Sequence, residues 1–407
     1  MSFIMITVLI DMVAIGLIIP VLPPLVGTFT AGSQADQAFW FAAVSFAFGI
    51  ANFFGSPVLG ALSDRYGRRP VLLIGFSGLA LSFFVTAMAT ALWMLIAVRL
   101  FSGAMQANAA VANAYVADIT PPEDRAKRFG LLGAMFGMGF ILGPVAGGLL
   151  GEINLHLPFF VAGTLALMNW LYGYFVLPES LPVERRQTIN WARVNPISSL
   201  KALSQLKGVG GLVAVIGLSA LAQFILHSTW VLYTHFKFGW GPKENGLSLF
   251  AVGITSVLVQ GFLLGKLLKI FSAQRLAVLG LLSSSLCFAL WGAASEGWMM
   301  YAVIFCNLLG FSAAAAIQSL FSNAADASAQ GATMGAMASL NSLMAVAAPV
   351  VGGGLLTLVS ELPKGHWLIG LPYYFCALLQ LAAMLLALRH FTRERARKAV
   401  LAGGHAL

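Results

Sequence analysis

Between Gly60 and Pro70 the chain reads Gly-Ala-Leu-Ser-Asp-Arg-Tyr-Gly-Arg-Arg-Pro, and on either side of that knot of charge runs a long apolar stretch. Only 9% of the residues are charged and 59% are hydrophobic. An ordinary soluble domain is about 25% charged and about 45–50% apolar. A turn so short and so charged between two such stretches has one natural setting, the membrane surface where two spanning helices meet. Roughly 20 apolar residues cross a hydrocarbon core about 30 Å thick. Segments of that kind are read at 3–28, 39–62, 71–90, 92–117, 129–151 and 158–178, and again at 209–233, 244–270, 274–294, 297–320, 331–359 and 367–390. Irregular backbone cannot face lipid, so the expectation is an all-α membrane protein of twelve transmembrane helices.

The first segment lacks a basic leader and a small-residue cleavage site, so it is expected to stay as an anchor. Orientation follows from the basic residues. With both termini cytoplasmic, every Lys and Arg except Lys237, Lys243, Lys364 and Arg99 falls in an inside loop or the tail. The net charge of +9 is then a matter of topology and the negative inner leaflet, and a nucleic-acid role is not indicated. Cys287, Cys306 and Cys376 each sit in an apolar segment without C-x-x-C spacing, which reads as buried, unpaired thiols.

An internal repeat sets the domain organisation. At one constant offset Gly60 maps to Gly265, Leu62 to Leu267, Trp93-Met94 to Trp298-Met299, Gly130 to Gly335 and Pro144 to Pro349. Such a match predicts two pseudo-symmetric six-helix bundles related by an axis along the membrane normal. The expected divisions are a bundle over 1–178, a cytoplasmic linker over 179–208 with Pro182, Arg185, Arg186, Trp191 and Pro196, a second bundle over 209–391, and a basic cytoplasmic tail over 392–407.

Charges at membrane depth are costly and normally face a cavity or a partner. Asp11 lies roughly 15 Å along the first helix and is the one acid placed well inside a segment. Arg99 lies within the fourth segment, and Arg99, Gln106 and Asn113 recur at a spacing that puts them on one helix face with Gly103. Asp11 is therefore a candidate proton-coupling carboxylate that pairs with Arg99 in one conformation, against the plainer reading of a structural ion pair or an interfacial acid. Asn52, Gln106, Asn113, Gln223, His227, Asn307 and Gln318 are candidates to line a substrate cavity; the ordinary alternative for each is an interhelical hydrogen bond. Gly133, Gly137, Gly139, Gly143, Pro144, Gly147 and Gly148 give the fifth segment the character of a hinge or of a tightly packed seam between the bundles, with plain helix packing as the alternative.

No catalytic pattern competes. Gly261 to Leu267 is too short for a phosphate-cradling loop, and the six histidines show no metal-ligand spacing. The energy source must be an ion gradient or the solute's own.

These residues closely resemble the major facilitator superfamily, over essentially the whole chain, and within it the tetracycline-resistance-like branch of drug:H+ antiporters. The resemblance is carried by Asp11 with Gly16-Leu17-Ile18-Ile19-Pro20-Val21-Leu22-Pro23, by Pro57 to Pro70, by Arg99 with Gly103, by Ala114 to Thr120, by Gly143-Pro144, by Pro158-Phe159-Phe160 and by Leu177-Pro178-Glu179-Ser180. It implies a cytoplasmic gate of Gly60, Asp64, Arg65, Gly67, Arg68 and Arg69 with Asp118 as charge partner, coupling through Asp11 and Arg99, and an antiporter helix built on Gly139, Gly143, Pro144 and Gly147. The chain departs from the branch at Ser82, Ser256 and Ser284, which stand where tetracycline carriers have ionisable residues, and at Ala104-Met105-Gln106-Ala107-Asn108. The resemblance, with the buried charges, implies a proton-coupled exporter of a small amphipathic compound working by alternating access. It would be monomeric, with no cofactor or metal beyond the proton gradient, in a bacterial inner membrane. The alternative on the same fold is a proton-coupled or facilitative importer of a small metabolite.

Overall fold

The computed structural model describes residues 2–189, 194–197, 210–324 and 330–403. Of the expected linker, 190–193 and 198–208, with Trp191, Arg193, Lys201 and Lys207, lie outside the described residues, as do 209, 325–329, 404–407 and the side chains of the tail beyond Arg393. Among the described residues there is no strand, only helices. Eleven are long and apolar enough to cross a membrane. Gly297–Cys306 and Leu308–Leu320 pass that test together across a 48° bend, and the number is twelve if they form one span.

The helices are α1 (Ser2–Ile18), α2 (Leu22–Gly27), α3 (Gln34–Tyr66), α4 (Arg68–Ala87), α5 (Leu92–Met105), α6 (Asn108–Asp118), α7 (Arg125–Ile153) and α8 (Leu157–Val176). There follow α9 (Gly210–Phe238), α10 (Pro242–Leu258), α11 (Leu264–Ile270), α12 (Ala273–Ala293), α13 (Gly297–Cys306), α14 (Leu308–Ala324), α15 (Gln330–Val359) and α16 (Leu371–Gly403). Local chemistry sets several of these ends. Pro20 has no N–H and disfavours helix at Ile19, so the first apolar run breaks after Ile18 and resumes as α2. Ser33 caps α3 by accepting from the Asp36 N–H at 3.1 Å. At the other end α3 and α4 are separated by one residue, Gly67, whose φ of +110° only glycine adopts readily.

The chain forms two compact units. The first comprises Met1–Pro196, Ser228–Ile254 and Pro349–Lys364. Its core has two clusters, one around Leu17, Leu25, Phe83 and Phe159, the other around Ile4, Leu72, Phe76, Val111 and Tyr115. Helix α1 packs against both α7 and α8. The second unit comprises Ile197–His227, Thr255–Ala348 and Gly365–Leu407, with α12 packed against α14 and α16 around Leu212, Leu276, Leu281, Ile317 and Ala383.

Two expectations change here. The glycines of α7 face two ways within the first unit. A Cβ at Gly143 would lie 2.6 Å from the Gly16 Cα and one at Gly147 would lie 2.0 Å from the Leu17 carbonyl oxygen, while Gly139 abuts Met12. Those three glycines seat α1 inside the first half, while on the other side of the helix the Pro144 carbonyl abuts Gly246 of α10, in the second sequence half. Gly148, on the opposite side, faces the Pro242 carbonyl and Gly246 of α10, and Gly133 and Gly137 have no such neighbour. The cysteines are all free, but only Cys287 and Cys376 are buried. Cys306 is exposed, because it ends α13 at the bend.

Candidate functional site

Asp11 is 2% exposed, in the middle of α1. Its only protein partner among the described residues is Asn108, whose Nδ2 donates to both carboxylate oxygens at 3.2 and 3.3 Å. Apolar side chains, Val8, Met12, Leu72, Phe76 and Phe136 among them, close the rest of the pocket. Asn108 fits because α4 offers Gly75 opposite it: a Cβ there would come 2.0 Å from the Asn108 Oδ1. An amide suits a carboxyl group that changes protonation state, since its NH2 donates to the ionised form and its carbonyl accepts from the acid form.

A break in the fourth span delivers Asn108 to that position. Gln106 and Ala107 leave the helix between α5 and α6, with Gln106 at φ −90° and ψ 85°. Asn52 of α3 satisfies the freed backbone, its Nδ2 donating to the carbonyls of Gly103 (3.3 Å) and Gln106 (2.6 Å). The close approach of the two helices relies on Gly103, where a Cβ would meet the Phe48 carbonyl oxygen at 2.3 Å. The break also revises the expected stripe: Arg99, Gln106 and Asn113 do not share one face of a continuous helix. Arg99 and Gln106 face one cavity, whereas Asn113 is exposed and donates to the Ala109 carbonyl of its own helix at 2.8 Å.

Arg99 is not paired with Asp11 in this structure. Among the described residues its charge meets no carboxylate, and its guanidinium lies over the Phe48 ring, 5.8 Å from the centroid. The cavity it faces is walled by Leu79, Ser82, Thr86, Ser102 and Gln106.

The remaining candidates are scattered. Asn307 is buried at the bend between α13 and α14, where its Oδ1 accepts from Ser283 at 3.1 Å. Ser284 is buried and Ser256 is half-buried, accepting from Gln260 at 2.6 Å. Gln223 is half-buried, His227 is exposed beside the Phe224 ring, and Gln318 is exposed.

At the α3–α4 turn, Arg68 is the hub. Its side chain donates to Asp64, to Ser63 (2.6 Å) and, through Nε, to Asp118 at the end of α6 (3.0 Å). These are the ion pairs found among the described residues. Arg65 lies over the Tyr66 ring and Arg69 over Tyr174. Gly60 has nothing within 4 Å of a would-be Cβ. Sequence reasoning missed Glu179. Its carboxylate accepts from the backbone N–H groups of Arg68 (2.8 Å) and Arg69 (3.2 Å), capping α4 where the helix dipole is positive. Gly67 is needed for this too, since a Cβ would lie 2.3 Å from Glu179 Oε2. The signal lay in the run Leu177-Pro178-Glu179-Ser180, an acid directly after an apolar helix at the surface carrying the charged turn.

Comparison with known proteins gives this geometry its setting. The family pattern of the Major Facilitator Superfamily matches residues 4–349. The tetracycline resistance protein, class C, of Escherichia coli is 36% identical over 373 residues, 91% of this chain and 93% of its own. The class D tetracycline resistance protein of Salmonella ordonez is 34% identical, covering 90% and 92%. Among solved structures, that of the nucleoside transporter NupG superposes with a TM-score of 0.77 at 16% identity, over 96% of this chain and 98% of that one. The chain belongs to the Major Facilitator Superfamily, as a proton-coupled secondary transporter of a small solute and not an enzyme.

Proposed function

We propose that the protein exports a small amphipathic compound in exchange for protons, working by alternating access from a bacterial inner membrane with both termini in the cytoplasm. The observation that carries this reading is Asp11, a carboxyl group buried in the membrane-spanning part of the first unit with an amide and no cation for a partner. A carboxyl group so placed can be loaded or emptied of one proton with little rearrangement, because Asn108 serves both forms. Export is supported by the resemblance to resistance proteins over nine-tenths of the chain. Ser82 and Ser284, which replace ionisable residues of that branch, argue for a solute other than tetracycline. The Arg68 cluster acts as the lock of the cytoplasmic gate, with Asp64 and Asp118 as its two anchors.

Growth inhibition across a panel of drugs and metabolites, in a strain lacking other pumps, identifies the compounds handled. In everted vesicles an exported compound from that panel should release protons from the lumen, and Asp11→Asn should abolish the release. Normal transport by Asp11→Asn would end the coupling assignment. Solute leaving the everted lumen together with protons would replace export by import.

A further inference from the structure

The Arg99 cavity holds a cation that no acid among the described residues neutralises. A guanidinium carries five N–H donors and cannot lose its proton, and at membrane depth an unmatched charge is expensive. Yet none of the side chains walling this cavity is an acid, and Asp11 is occupied with Asn108 in a separate pocket. The hydroxyls of Ser82, Thr86 and Ser102 are turned to backbone carbonyls of Leu79, Ser82 and Arg99, so they supply polarity but no counter-charge. The side-chain amide of Gln106 has no protein partner among the described residues and faces the same space. The rest of the wall is apolar, with Phe48 beneath the guanidinium and Leu79 and Phe83 beside them.

In this structure the cavity is about 30 Å³, room for little more than a water. What it presents is one cation and one free amide beside aromatic and aliphatic surface, a seat for the anionic end of an amphipath whose apolar part needs the cavity widened. We propose that Arg99 anchors the transported solute, and that this solute carries an anionic group, a carboxylate or sulfonate, on an apolar ring or chain. The planar fork of a guanidinium matches a carboxylate through two parallel hydrogen bonds, and Gln106 adds a neutral donor beside it. The proposal rests on the transporter reading above and deepens it by naming the charge of the solute.

The test uses the full-length protein in nanodiscs of zwitterionic lipid, so that no anionic headgroup competes. Binding of 1-naphthoate, 2-naphthoate and dansylglycine is measured against their neutral primary amides. At least one acid should bind about tenfold or more tightly than its amide, equivalent to about 1.4 kcal/mol. Arg99→Gln should erase the preference, Arg99→Lys should retain part of it, and Gln106→Leu should weaken it severalfold. Size-exclusion profiles establish that each variant is folded, and Gln106→Leu carries the test if Arg99→Gln is not. No preference for any acid, or a preference that survives in folded Arg99→Gln, overturns the proposal. Proton release in everted vesicles is scored separately. In the unaltered protein, proton release without any acid preference removes only the anion site, whereas acid binding without coupled transport removes the transporter reading.

Discussion

The two sequence halves build the same helix contact and fill it with different chemistry. In the first, Gly75 of α4 makes room for Asn108 of α6, and Asn108 holds Asp11 of α1. At the repeat offset those residues correspond to Gly280, Ala313 and Ile216. Gly280 of α12 again lies against its counterpart: a Cβ there would meet the Ala313 Cβ at 2.7 Å. Ile216 and Ala313 are both buried and carry no polar group. The backbone solution is therefore shared, and the ionisable one is confined to a single half. The repeat supplies a scaffold, and in the function proposed above the proton chemistry sits where the repeat is violated.

The sharpest way to break this comparison is to exchange the two residues one at a time. Asp11→Ile should abolish proton-coupled transport and lower the melting temperature modestly, because it leaves the buried Asn108 amide without its acceptor, a cost of about 1–3 kcal/mol. Ile216→Asp should harm the fold more. With no amide opposite it, a buried carboxylate is expected to cost about 3–5 kcal/mol, seen as loss of a monodisperse peak and of yield. Adding Ala313→Asn to Ile216→Asp should recover part of the folded protein. Equal tolerance of a carboxylate at both positions would mean that the two pockets do not differ in the way described.

A smaller effect separates structure from chemistry at the paired glycines. Gly75→Ala pushes on the Asn108 Oδ1, the end of a side chain that can swing away, while Gly280→Ala pushes on the Leu309 carbonyl oxygen as well, which cannot. Overpacking against backbone costs about 1–3 kcal/mol. Gly280→Ala should therefore lower the melting temperature more than Gly75→Ala, and Gly75→Ala should lower coupled transport more than Gly280→Ala. Thermal unfolding in nanodiscs and proton release in vesicles give the two readings, and a single ranking for both would count against the distinction.

Spans and charges were legible in the sequence because the bilayer imposes them: apolar runs of fixed length, a turn rich in Arg, and Asp11 and Arg99 standing out against lipid-compatible neighbours. The partners of those charges were not. Asn108 read as one more polar residue after Gly103, since nothing local says that the helix breaks at Gln106 and swings it toward α1. That break depends on Asn52, from a different helix. The expected stripe of Arg99, Gln106 and Asn113 assumed one continuous fourth helix. The α7 glycines marked close packing but not its direction, and their division between α1 and α10 depends on which neighbours arrive.

The smallest effect concerns how each half restarts its helix after the turn that follows its second span. In the second half the cap is local: Ser272 accepts from the Arg275 N–H at 3.3 Å. Its repeat counterpart is Gly67, which has no side chain to offer, and Glu179 at the end of α8 supplies the acceptor instead. Loss of either cap is worth about 1 kcal/mol, so Ser272→Ala and Glu179→Gln should each lower the melting temperature by a few degrees. Their effects on transport should differ. The Ser272 cap joins nothing distant, and its loss should leave the transport rate unchanged. Glu179 ties the end of α8 to the turn that holds Arg68, and Ser180 beside it donates to the same Asp118 oxygen as Arg68, at 3.2 Å. Glu179→Gln should therefore loosen the whole cluster and change the transport rate severalfold at a similar cost in stability. If Ser272→Ala altered transport as much, capping alone would account for Glu179, and its remote placement would carry no functional meaning.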